Sequence, residues 1–192
     1  MPSKSLERWE KERAGELDEL EAAHVAVGGS KRGRRFATQQ VNHAYAVLLS
    51  SQFQGFSRDL HSECVDHIVQ AAPASFFRQM LRQEFTLLRK LDKGNPSPEN
   101  IAADFDRLGI GFWEAVIARD QRNQFRREML RELNSWRNAI AHQHFDPVAL
   151  GGTTTLHLDR VRSWRRVCGK LARDFDEVMR RHLAAVVGSA PW

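Results

Sequence analysis

Arg137-Asn138-Ala139-Ile140-Ala141-His142 places a guanidinium, an amide and an imidazole within six consecutive residues. Those groups suit one kind of chemistry, the cutting of RNA by attack of its own 2′-hydroxyl. Such a reaction needs a group that moves the hydroxyl proton, and an imidazole, ordinarily titrating at about pH 6.5, does that. It also needs a fixed cation on the phosphate oxygens, which a permanently protonated guanidinium supplies.

The residues lie in a segment of helical pattern, so spacing sets where they point. At roughly 100° per residue, positions 137 and 142 stand about 140° apart around the axis and do not share a face. Asn138 and His142 are i and i+4 neighbours. The amide can hydrogen-bond an imidazole nitrogen and set its tautomer while Arg137 curls toward the same spot. Pro147 must end the helix a few residues on, and fraying there lets the imidazole swing toward Arg137. The same residues also read as a helix-terminal histidine near the negative end of the dipole beside a solvated arginine. His144 follows closely, either as a second acid or base or as part of the exit loop.

Arg137-Asn138-…-His142 resembles the R-x4-6-H signature of the HEPN superfamily (higher eukaryotes and prokaryotes nucleotide-binding), which favours a polar residue after the arginine. Its position is similar too: near the end of a late helix, before a loop and one final amphipathic helix. On an early long helix, Gln54-Gly55-Phe56-Ser57-Arg58-Asp59-Leu60-His61 resembles the RiboL-PSP-HEPN branch and related abortive-infection and toxin proteins. The resemblance implies an all-α, HEPN-like bundle of roughly four to five main helices with extra short ones. It implies a homodimer whose motifs face one cleft, and metal-independent endoribonuclease activity. In that scheme His142 is the general acid/base, Arg137 the phosphate clamp and Asn138 the residue that orients His142, while Arg58 and Asp59 support the cleft as a buried ion pair. A role as toxin or abortive-infection effector, with an antitoxin protein as partner, follows from the resemblance alone. The competing reading is a helical RNA-binding or protein-interaction module without catalysis.

A net charge of +5 and a sequence pI of about 9.7 favour a polyanionic partner. Lys31, Arg32, Arg34 and Arg35 fall in a glycine-containing stretch and read as an RNA-contacting loop, or else as idle charge. Arg119, Arg122 and Arg126, at i, i+3 and i+7, read as a basic stripe climbing the motif helix toward Arg137, or else as a solvated face shared with Glu128 and Glu132. His61, Glu63 and His67 lack the i, i+4 spacing of paired metal ligands and read as surface polarity. Cys64 and Cys168 show neither CxxC nor Cys/His spacing, so no disulfide framework, zinc site or other metal is expected. Without a Walker loop, GxSxG or GxGxxG, no nucleotide cofactor and no serine esterase chemistry is expected. The first residues lack an apolar signal region and no apolar run is long enough to span a bilayer, so a cytoplasmic protein away from membranes is expected.

Holding these groups requires a core, and 192 residues with 42% hydrophobic content, 11 Phe and 5 Trp suffice for a single helical domain over 1–192. Its parts are an N-terminal helix and basic loop over 1–35, a helical core over 36–187 and a tail over 188–192. Periodicity predicts helices over 4–24 and 36–71, with Gly55 a candidate kink in the second, and one from Pro73 through Phe77, Leu81, Phe85, Leu88 and Leu91. Ser97-Pro98 opens a short helix that Gly109 and Gly111 close. Another starts at about Phe112 or Gln121 and ends at His142, with Phe125, Met129, Leu133, Trp136 and Ile140 as its core stripe. After a turn at Gly151-Gly152, the last helix runs from about Leu158 to Val187 and buries Val161, Trp164, Leu171, Phe175, Val178 and Leu183.

Overall fold

The computed structural model describes residues 1–28 and 35–192. Among the described residues every regular element is helical and no strand forms. Helix α1 (Lys4–Arg8) passes through a π-helical turn at Trp9–Arg13 into α2 (Ala14–Gly28). Ser3 caps this run by accepting the Leu6 N–H at 3.1 Å. There follow α3 (Arg35–Ala71), α4 (Ser75–Thr86), α5 (Pro98–Phe105), α6 (Phe112–Arg119), α7 (Asn123–His142) and α8 (Leu158–Val187). Helix α3 packs against α2, α4, α7 and α8, and α7 packs against α8, so α3 is the mast of the bundle. No helix among the described residues is long and apolar enough to cross a membrane.

The core is aromatic where these helices meet. Phe175 of α8 lies within ring-contact distance of Phe53, Phe105, Phe112 and Trp113. All six apolar positions expected of the last helix are buried. Each contributes about 1.5–3 kcal/mol of burial, which holds a long helix that propensity alone would leave marginal.

Three elements refine the expectation. Helix α3 runs unbroken through Gly55, where a Cβ would overlap the guanidinium of Arg13. Arg13 crosses the helix there to reach Gln52 Oε1 and Asp59 Oδ2, both at 2.7 Å. Gly55 therefore serves close approach. Helix α4 stops at Thr86, before Leu88 and Leu91. The buried Asp104 carboxylate accepts the Lys90 and Leu91 N–H groups at 2.8 Å and draws that stretch into a 3-10 turn. Finally, of the two starts the sequence left open, the later one holds for α7, and α6 from Phe112 is a separate helix. Asp120 adopts an extended conformation and accepts the Arg122 N–H at 3.0 Å, which restarts the helix. The buried side of α7 is Met129, Leu130, Leu133, Trp136 and Ala139, while Phe125, expected in the core, is exposed.

Helix α7 ends before Pro147 acts. Gln143 takes a left-handed conformation at φ 52 and donates its N–H to Ile140 O at 3.3 Å, while His144 N–H reaches Ala139 O at 3.0 Å. This pair of bonds satisfies the terminal carbonyls and makes His142 the last helical residue.

Candidate functional site

Trp136 and Ala139 point into the core and fix the end of α7, which leaves Arg137 half-buried and Asn138, Ala141 and His142 exposed. Arg137 Nη1 donates to Asn138 Oδ1 at 3.3 Å, and Asn95 Nδ2 donates to the same oxygen at 3.0 Å. The motif's amide thus joins the arginine to the loop before α5. It does not meet the imidazole: His142 has no hydrogen-bond or charged partner among the described residues. Its neighbour His144 is also exposed.

Most arginines in this chain are neutralised by a carboxylate. Among those whose side chains are described, Arg78, Arg127, Arg137 and Arg166 form no ion pair; their partners are the Ala72 carbonyl, the Trp113 ring, the Asn138 amide and the Ser163 hydroxyl. Arg137 spends one of its five N–H donors on Asn138 and keeps the rest. A half-buried guanidinium with spare donors and no counter-ion is suited to an incoming phosphate.

The loop leaving α7 is pinned to the first half of α3. Phe145 stacks on His43 at 5.4 Å between centroids, Asn42 Nδ2 donates to Leu156 O at 2.8 Å and Gln39 Nε2 to Thr154 O at 3.3 Å. His43 also lies beside Trp136, at 6.4 Å. It is buried and its Nε2 is unpartnered, and burial holds its pKa below the ordinary histidine value. Sequence reading passed over Asn42 and His43. Their phase one turn before Tyr45, Ala46 and Leu49 was the available signal.

Other expected members of the site lie elsewhere. Arg58 is half exposed at 3.7 Å from Asp59, whose closest cation is Arg13 at 2.7 Å, with Arg8 at 3.2 Å. Asp59 stands about 24 Å along α3 from His43 at 1.5 Å per residue. This pair ties the N-terminal helices to α3 and is not the buried support of a cleft at Arg137. His61, read as surface polarity, is fully buried: its Nε2 faces the Asp104 carbonyl at 3.2 Å and Arg89 Nη1 lies 3.5 Å from its Nδ1. Glu63 accepts the Lys4 and Ser5 N–H groups, and His67 Nε2 lies 3.2 Å from Ser189 O.

The basic stripe is interrupted by the break before α7, and its members are spent on carboxylates. Arg126 is buried and reaches Asp120 at 2.9 Å and Asp174 at 3.1 Å; Arg119 meets Asp174 at 2.8 Å. Hydrogen bonds from Arg122 hold the Asp120 carboxyl well below the usual carboxylate range. The stripe is a latch between α6, α7 and α8, with Arg126 buried and Arg119 and Arg122 at its exposed rim. Lys31, Arg32 and Arg34 lie outside the described residues, as does the side chain of Arg35.

No family model matches the chain, and no curated protein or solved structure does so.

Proposed function

We propose that the chain is a metal-independent endoribonuclease of the HEPN kind that cuts RNA at the end of α7. One observation carries the reading: Arg137, half-buried and without a carboxylate, is anchored through Asn138 and Asn95 on the same helix end that exposes His142. In the reaction His142 takes the proton of the RNA 2′-hydroxyl, whose oxygen attacks the adjacent phosphorus. The 5′-oxygen leaves, is protonated by an imidazolium or by water, and a 2′,3′-cyclic phosphate remains. Arg137 holds the non-bridging oxygens as charge builds on them. The exposed imidazole of His144, on the same exit from the helix, is the nearest second proton carrier in sequence.

Action as a toxin or abortive-infection effector, countered by an antitoxin protein, belongs to this reading through the family resemblance. The resemblance also implies two motifs in one cleft. Around His142 the exposed residues mix polar Asn138, Gln143, His144 and Asp146 with apolar Ala141, Pro147 and Val148, a surface that neither demands nor forbids such a contact.

The missing bond between Asn138 and His142 favours a second reading, an RNA-binding module without catalysis. Incubating the purified protein with total RNA in EDTA, beside a His142→Ala control, separates the two. Cleavage that persists in chelator and leaves 2′,3′-cyclic ends is the expected result. Activity that vanishes in EDTA and returns with Mg²⁺ overturns the mechanism, and binding without cleavage leaves the module.

A further inference from the structure

A group of exposed apolar side chains lies on α4 and the two residues after it, away from the site. Phe76, Phe77, Met80, Leu87 and Leu88 are each more than half exposed, and α4 buries none of its residues. The surface is continuous. The Phe76 and Phe77 rings meet edge to face at 5.9 Å, and Phe77, Met80, Leu81 and Leu87 line one groove of about 360 Å³ with Gln83 and Glu84. Both arginines of the helix turn away toward α3: Arg78 Nε donates to Ala72 O at 2.8 Å and Arg82 pairs with Asp66 at 2.6 Å. The groove's charge is Glu84, paired at 3.7 Å with Arg107, which also donates to Leu87 O at 2.8 Å along one edge. Its apolar lining is Phe, Met and Leu, as in the core of an interface. Beside the groove Leu88 stands in the left-handed region at φ 57 with its side chain in solvent, an arrangement non-glycine residues rarely adopt.

Area selects the occupant. Five large side chains, each more than half exposed, offer roughly 500–600 Å² per chain, the upper end of what a monomer shows. Two copies bury about 1,000–1,200 Å², which reaches the size of a specific interface. The patch also carries its own complement, since a two-fold contact lets the projecting Phe76 and Leu88 of each copy enter the groove of the other.

We propose that a second copy of this chain covers the exposed face of α4, with the two α4 helices packed antiparallel near Met80. Helix α4 runs back along α3, as the pairing of Arg78 with Ala72 and of Arg82 with Asp66 shows. The two-fold axis of an antiparallel α4 pair is then perpendicular to α3. His43, which marks the level of the Arg137/His142 end, lies about 35 Å along α3 from Asp66. The dimer therefore carries its two Arg137/His142 ends far apart on opposite sides and not in a common cleft. This inference rests on the surface of α4 and is independent of the ribonuclease reading.

The test is light scattering with cysteine cross-linking on the full chain. The wild type is expected to be a dimer at tens of micromolar, and Met80→Glu to weaken association by about 100-fold or more with an unchanged circular dichroism spectrum. Because Cys64 and Cys168 are buried, a Met80→Cys variant is expected to cross-link its dimer on mild oxidation while Asn138→Cys does not. A monomeric wild type at 100 μM, whatever other protein it binds, overturns the proposal. So does a dimer that withstands Met80→Glu and cross-links through Asn138→Cys. RNA cleavage read on the same samples keeps the questions apart: a Met80→Glu monomer is expected to cut as the wild type does, and loss of cleavage throughout with the dimer intact counts against the ribonuclease reading alone.

Discussion

Arg137 and His142 are held to very different degrees. Arg137 is braced by Asn138 and Asn95, whereas His142 hangs from the last residue of its helix with solvent around it. Neither belongs to the buried side of α7, so Arg137→Ala and His142→Ala are each expected to lower cleavage by about 10²-fold or more with little change in melting temperature. Asn138→Ala is expected to act through the arginine and to raise KM for RNA more than it lowers kcat. Single-turnover kinetics and thermal melts on the three variants check this, and a fully active His142→Ala free of contaminating nuclease would remove the assignment. The motif was legible because it consists of adjacent residues. Its amide was misassigned because i, i+4 spacing cannot reveal that Asn95, distant in sequence, reaches the same oxygen. His61 was misread for a similar reason: Asp104 and Arg89, which make its burial tolerable, come from other elements. Burial, reinforced by the Arg89 charge, lowers its pKa to about 4 from 6.5. The unfolded chain therefore binds a proton first as pH falls. Stability is fully present above about pH 6.5 and lost on the way down to pH 4, by about 3 kcal/mol for this group alone. The buried His43 adds in the same direction. Urea midpoints measured from pH 7 to pH 4.5 should show the slope, and His61→Gln should flatten it.

At the level of elements, the end of α7 is set by a left-handed glutamine where glycine is the usual choice. Gln143→Gly is expected to relieve that backbone and stabilise the protein by about 1 kcal/mol, read as a raised melting temperature. An unchanged or lowered melting temperature would mean that the Gln143 side chain, which donates to Ile140 O at 2.7 Å, contributes as much as the strain costs. Helices α3 and α8 were readable because their apolar periodicity runs for 37 and 30 residues and their partners are one another. The break between α6 and α7 stayed open between a start at Phe112 and one at Gln121. It contains no glycine or proline, and a carboxylate folding back onto a backbone N–H leaves no trace in hydrophobic spacing. Phe125, one turn before the buried Met129 on the same helix, is exposed although its phase is that of the core. Helix α4 shows the converse limit: its existence was legible, but an amphipathic pattern does not say whether its apolar face meets its own chain.

For the molecule as a whole, the excess of positive charge says less than where it is spent. Arg119 and Arg126 hold α6, α7 and α8 together through Asp174 and Asp120, and Arg13 holds the N-terminal helices to α3 through Asp59. A pI of about 9.7 can therefore coexist with a described surface on which few guanidinia stand ready for phosphate. The core those latches close over contains two thiols, Cys64 on α3 and Cys168 on α8, and burial pushes both above their ordinary pKa. They make the protein its own clock. An alkylating reagent reaches either sulfur only while the bundle is open, so the labelling rate at low reagent multiplies the chemistry of a free thiol by the fraction of time spent open. Because α3 and α8 pack on each other, both cysteines are expected to label at one common rate, and a urea series should carry the two rates up together. Mass spectrometry of the labelled peptides reads this out, and a Cys168 that labels while Cys64 stays protected would show that α8 lifts from the bundle on its own.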